Sequence, residues 1–186
     1  MVAATLEYDE RLLIDLVREK AVQFGTFRLA SGQISNFYLD CRKLTLDSAG
    51  CNLVAAGMWE KFQANSPQAV GGMAVGAVPI VASLLCLAGQ HNVPLLGFFV
   101  RKEAKDHGTG KRVEGPVTAG QTAIVVEDVV TTGGSCIAAI EAAREFGLEV
   151  TRALAIIDRK PGDHPEFDRI GVKLETLLTI DQLDLR

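Results

Sequence analysis

The sequence predicts an α/β protein with a central, mostly parallel sheet flanked by helices. Three observations carry that prediction. From residue 69 onward, short β-branched or glycine-containing apolar runs alternate with stretches of helical period. The run Ala123–Val126 leads through a Thr/Gly-rich turn straight into a helical pattern. That run is also short and rich in β-branched residues, as a buried strand is.

The elements follow in order. Leu12, Leu13, Leu16, Val17, Ala21 and Phe24 recur at helical spacing, with Asp9 as a cap and Gly25 as the stop. Phe27–Leu29 and Ile34–Leu39 read as short strands around a Ser31-Gly32 turn. Phe37 and Tyr38 are adjacent, so a regular strand sends them to opposite faces. Asp47 can cap a second helix carrying Cys51, Val54, Ala55, Met58 and Phe62 on one face, with Trp59 beside them. Ala69–Val75 is a strand, and Pro79 suits the first turn of the helix bearing Ile80, Val81, Leu84, Leu85 and Ala88. Leu95–Val100 and Thr151–Ile157 are further strands, and Ile170–Leu178 a last one. Thr179 and Gln182 have capping-box spacing for a short terminal helix.

The organising stretch is Thr122–Ser135. An apolar strand meets two carboxylates, Glu127 and Asp128, then Val129, Val130, Thr131, Thr132, Gly133, Gly134 and Ser135. Ile137, Ala138, Ile140 and Ala142 continue as a helix that Gly147 stops. The first N–H groups of a helix have no intrahelical partner and lie at the positive end of its dipole. Glycines let an anion approach them, and hydroxyls add donors, so the turn is a phosphate cradle. The carboxylates cannot bind phosphate; they suit sugar hydroxyls, a metal ion or positive charge developing on a sugar ring. Gly-Gly alone is often plain turn chemistry. The turn has neither the dinucleotide G-x-G-x-x-G nor the G-K-[ST] of a P-loop.

In parallel sheets ligands bind at the carboxyl ends of the strands. That places Gly76–Pro79, Arg101 onward, Glu127–Ser135 and Asp158-Arg159 on one rim. The segment 101–115 packs Arg101, Lys102, Lys105, His107, Lys111 and Arg112 between two strands, loosened by Gly108, Gly110 and Gly115. A charge run is ordinarily a solvated connection. Here it faces a phosphate turn, where cations can neutralise a leaving diphosphate while the loop excludes water.

Val-Val-Glu-Asp-Val-Val-Thr-Thr-Gly-Gly-Ser at 125–135 resembles the 5-phosphoribosyl-1-diphosphate (PRPP) loop of the type I phosphoribosyltransferases. Val100–Gly108 resembles the catalytic loop of the orotate phosphoribosyltransferase family. The resemblance implies that fold, with a small N-terminal hood (Phe24–Gly32 through Tyr38) over the base. It implies transfer of the phosphoribosyl group from PRPP to orotate in pyrimidine biosynthesis. It also implies Mg²⁺ carried mainly by substrate and water, and a homodimer whose loop reaches the neighbouring site. Arg101, Lys102, Lys105 and His107 match PRPP-contacting positions, with Lys105 the principal cation at the diphosphate. Thr131, Arg159, Phe37 and Tyr38 match the orotate end. Residues 46–159 then form the PRPP-binding core, and 1–45 with 160–186 the hood and peripheral elements. Some members carry lysine where Ala30 and the Val75-Gly76-Ala77 turn stand.

Bulk properties narrow the alternatives. At 186 residues the chain fits one domain, without room for a fused decarboxylase barrel. A net charge of −4 offers no general nucleic-acid footprint, against a PRPP-sensing regulator. No apolar run spans a bilayer, and the acidic N-terminus lacks signal-peptide order. Cys41, Cys51, Cys86 and Cys136 lack C-x-x-C spacing and read as reduced thiols in a cytoplasmic protein. A purine or uracil phosphoribosyltransferase would share the phosphate turn but not the 101–108 motif. A generic nucleotide-binding domain has only the strand–helix pattern behind it.

Overall fold

The computed structural model describes residues 7–28, 34–103 and 112–185. In order the elements are α1 (Glu10–Leu16), β1 (Val22–Arg28), β2 (Ile34–Leu39), α2 (Arg42–Thr45), α3 (Ser48–Phe62), β3 (Ala69–Met73), α4 (Ala77–Gln90) and β4 (Leu96–Val100). Then come β5 (Val113–Glu114), β6 (Thr122–Val130), α5 (Gly134–Phe146), β7 (Glu149–Asp158), α6 (Pro165–Arg169) and β8 (Lys173–Thr179). A 3₁₀ turn, Ile180–Leu183, follows β8 with the predicted Thr179/Gln182 capping box.

Six strands form one sheet in the order β5-β4-β3-β6-β7-β8. All its neighbours are parallel except β4 and β5. Strand alternation gives the sheet two apolar faces. Along β6, Ile124 and Val126 join the core formed with α1, α3 and α4, whereas Ala123 and Val125 join that formed with α5 and α6. Along β7, Leu154 and Ile156 take the first face, Ala153 and Ala155 the second. The small residues on the second face meet Ala139, Ala142 and Ala143 of α5. Helix α3 packs against α1, α2, α4 and β8, so apolar residues occupy nearly every side of it. The Asp47 carboxylate caps it, accepting from the N–H groups of Ala49 and Gly50. Gly147 ends α5 at φ 107°, in the left-handed region that favours glycine.

Several boundaries differ from the sequence reading; besides shifts of a few residues at the ends of β3, β7 and β8, three differences matter here. The first helix was expected to reach Phe24. Asp9 does cap it, but it widens into a π turn over Val17–Ala21 and the chain is extended from Val22. Pairing of Val22 with Leu39 and Phe24 with Phe37 overrides the helical spacing, leaving Phe24 exposed. Strand β6 does not end at the acidic pair; it continues to Val130 alongside β7. The segment 160–186 is not wholly peripheral, because Lys173–Thr179 is the edge strand beside β7. The antiparallel β1–β2 pair stands as a separate two-stranded unit, as the hood reading expects. The Ser31-Gly32 turn and Ala30 lie outside the described residues.

Candidate active site at the carboxyl rim

The carboxyl ends of β3 and β6 open onto a cavity of about 540 Å³. One wall is Tyr38–Arg42, following β2; another is the turn Met73–Gly76 ahead of α4. Lys102 enters from the end of β4, and Glu127, Asp128, Val129 and Ser135 complete the lining.

Neighbouring side chains on a regular strand point apart, yet Glu127 and Asp128 both reach this cavity. The Asp128 N–H donates to Glu127 Oε1 at 3.3 Å, and the Val129 N–H to Asp128 Oδ1 at 2.8 Å. Each carboxylate thus curls back on the backbone of the next residue. Glu127 is only 5% exposed. Burial, and then the Asp128 charge, push its carboxyl up to about 8, with the Ser135 hydroxyl opposing. Its Oε2 is buried without a hydrogen-bond partner.

The turn after β6 has the geometry of an anion cradle. Val130 is buried and its carbonyl accepts the Arg159 N–H at 2.8 Å. Gly133 sits at φ 76°, and the Phe167 ring occupies the space a Cβ there would need. Helix α5 begins at Gly134, and its first N–H groups lack intrahelical acceptors. Ser135 reaches the cavity wall; Thr132 and Gly134 are exposed and Thr131 half-buried beside it.

On the same rim, outside the lining of this cavity, the Arg159 guanidinium lies over the Phe37 ring, 5.3 Å from its centroid. Tyr38, on the opposite face of β2, lines the cavity and packs on Phe27. Asp158 does not pair with Arg159. Its Oδ1 is taken by His164 at 2.7 Å and the Lys160 N–H at 2.8 Å. In the charged segment, Lys102 faces the cavity, whereas Arg101 pairs with Glu114 at 3.0 Å and lies over Phe99. Lys105 and His107 lie outside the described residues. At Gly76 a Cβ would stand 3.2 Å from the Asp128 carboxyl, so the bare backbone there is what lets the two segments approach.

Residues 46–175 match the phosphoribosyl transferase domain. The orotate phosphoribosyltransferase of Rhodopirellula baltica is 51% identical over 179 residues, covering 93% of each chain. The chain belongs to the orotate phosphoribosyltransferase family. The Mycobacterium tuberculosis orotate phosphoribosyltransferase, solved with Fe(III) dicitrate, superposes at TM-score 0.82 and 31% identity over 95% of this chain and 99% of that one. The same protein solved with PRPP gives 0.78 and 28% identity over 95% and 99%. For an orotate phosphoribosyltransferase, the acidic strand, the helix-start cradle and the Arg159–Phe37 stack thus surround one rim.

Sequence reasoning missed the Asp40–Arg42 wall of this rim. Arg42 grips Asp40 through two contacts, Nε–Oδ1 at 2.8 Å and Nη2–Oδ2 at 3.1 Å. Hydrogen bonding from Arg42 holds the Asp40 carboxyl below its ordinary range. The available signal was an acid-x-base triplet at a strand end. Cys41 between them is buried, which pushes its thiol well above the usual value. His164 was missed because its partner, Asp158, had been read only beside Arg159.

Proposed function

We infer that the chain is the enzyme that transfers the 5-phosphoribosyl group of PRPP to orotate, giving orotidine 5′-monophosphate and diphosphate. The reaction is a step of pyrimidine biosynthesis. The observation that carries the site assignment is the acidic strand running into an open helix start on the rim that also holds Arg159 over Phe37.

The N–H groups at the start of α5, with Thr131, Thr132, Gly133, Gly134 and Ser135, hold the 5-phosphate. Glu127 and Asp128 bind ribose hydroxyls. As the C1–O bond to diphosphate breaks and the N1–C1 bond forms, the Asp128 charge stabilises oxocarbenium character at C1, joined by that of Glu127 once its proton leaves. The N1 proton of orotate is released. The guanidinium of Arg159 pairs with the orotate carboxylate in a fork. Phe37 supports it from behind, while Tyr38 and Thr131 flank the base. Lys102 and Lys105 neutralise the departing diphosphate, and His107 donates to it.

The family's Mg²⁺ is a hard cation that takes oxygen ligands. The Asp128 carboxylate at the cavity fits it as an oxygen donor. It would arrive on PRPP oxygens and water, supplying charge neutralisation for the diphosphate. Arg101 faces Glu114 rather than this chain's own cavity. By family resemblance, the segment beyond Lys102 serves the neighbouring site of a homodimer. No helix among the described residues is long and apolar enough to cross a membrane, and the four cysteines are free, consistent with a cytoplasmic setting.

A spectrophotometric assay with PRPP and Mg²⁺, offering orotate, adenine, guanine or uracil, tests the reading. Orotate alone should turn over, and a chelator should stop it. Turnover of a purine alone would defeat it, as would nucleic-acid binding without any turnover.

A further inference from the structure

Asp158 and His164 form a buried carboxylate–imidazole pair that the reaction scheme above does not use. Their side chains are 8% and 9% exposed, and Nε2 lies 2.7 Å from Oδ1. The same oxygen accepts the Lys160 N–H at 2.8 Å. One carboxylate at the end of β7 therefore closes the turn 158–164 upon itself. Arg159 is the residue enclosed by that closure. Its own N–H is tied on the other side to the Val130 carbonyl, at 2.8 Å.

Behind the imidazole, Phe167 meets it edge-on, with centroids 5.9 Å apart. Phe167 is fully buried and also fills the space beside Gly133. The pair thus sits between the arginine-bearing turn and the support of the phosphate turn. Its His164 Nδ1 is buried without a partner. An unsatisfied ring nitrogen makes the imidazole a poor device for stability alone. What Nε2 does provide is a fixed direction for the Asp158 carboxylate, and through it a fixed path for the next residue.

We propose that the Asp158–His164 pair is a positioning device for base recognition, holding the turn from which Arg159 reaches across Phe37 to the orotate carboxylate. The inference rests on the assignment of Arg159 to orotate. An arginine side chain has many rotamers, and a displaced backbone origin would break the two-point geometry that carboxylate pairing needs. His164 itself touches no substrate, so its effect should appear in orotate saturation and pass entirely through Arg159.

The test is steady-state kinetics on the full chain with melting temperatures alongside. His164→Leu should raise the KM for orotate roughly tenfold, the scale of a lost hydrogen bond to a charged group, while the KM for PRPP and kcat stay unchanged. His164→Gln, whose amide nitrogen can occupy the place of Nε2, should restore orotate saturation. Adding His164→Leu to Arg159→Ala should raise the KM no further, because both changes remove the same contact. If His164→Leu does not fold, His164→Asn carries the same comparison, its amide being too short to reach Asp158. Equal rises in both KM values, an additive effect on Arg159→Ala, or an unchanged orotate KM in a folded variant would overturn the proposal. An unchanged orotate KM in Arg159→Ala alone would instead overturn the assignment of Arg159.

Discussion

Two stretches of the carboxyl rim are built from different material. At the β6–α5 turn the donors are backbone N–H groups, set in place by a glycine at φ 76° and by the start of a long helix. At the end proposed for the base, the donor is one guanidinium on a turn, supported by one ring at 5.3 Å. A backbone site is distributed, and removing one side chain leaves most of its donors standing. A side-chain site is concentrated, and truncating one residue empties it. The charged 101–115 segment, in the role proposed for it, is the extreme of the second kind, since it would contribute long cationic side chains.

The largest effect should therefore come from that segment. Lys105→Ala should lower kcat on the order of a hundredfold, about 3 kcal/mol of lost transition-state stabilisation, with the melting temperature unchanged. An unaltered rate would reduce the segment to a connection. Next, Arg159→Ala should raise the KM for orotate by one to two orders of magnitude, roughly 1.5–3 kcal/mol, and leave PRPP saturation alone. Weakened PRPP binding with normal orotate saturation would erase the distinction between the two ends.

Between the ends lies Glu127, raised from the ordinary carboxyl value to about 8 chiefly by burial. The folded chain then holds a proton that the unfolded chain releases near pH 4.5. Unfolding releases that proton, so folding stability should fall as pH rises from about 4.5 to about 8, by no more than ~1.4 kcal/mol per pH unit, and level off above. Chemical denaturation across that range should show the slope, and Glu127→Gln should flatten it. The smallest effect should be Ser135→Ala. Losing one hydroxyl among several backbone donors should raise the KM for PRPP only severalfold, about 1 kcal/mol. A loss as large as that of Arg159→Ala would mean the phosphate end is also a side-chain site.

The same contrast explains what the sequence disclosed. Strands β3, β4, β6 and β7 were legible because buried parallel strands are near-continuous apolar runs. The phosphate turn was legible because a backbone site needs particular residue types in one contiguous stretch. Features assembled from distant side chains were not. Asp158 and His164 are six residues apart across an irregular turn, and no periodicity relates them. The Asp40–Arg42 wall shows only as two charges after a strand. Val22–Phe24 read as helix because their spacing fits one, and only the partner strand at 37–39 decides otherwise. The end of β6 was misjudged because carboxylates usually mark a strand's exit to solvent. Here each is accommodated by a neighbouring N–H inside the sheet.

The capping box after β8 has a consequence for how the chain comes apart. Gln182, besides capping that turn, donates to Glu10 at 3.1 Å, and the Leu183 carbonyl accepts from Arg18 at 2.7 Å. Leu183 is itself fully buried. The first helix and the final turn are therefore a clasp, each latched by the other. Removing residues 180–185 would loosen α1 as well, so the two elements come apart together or not at all.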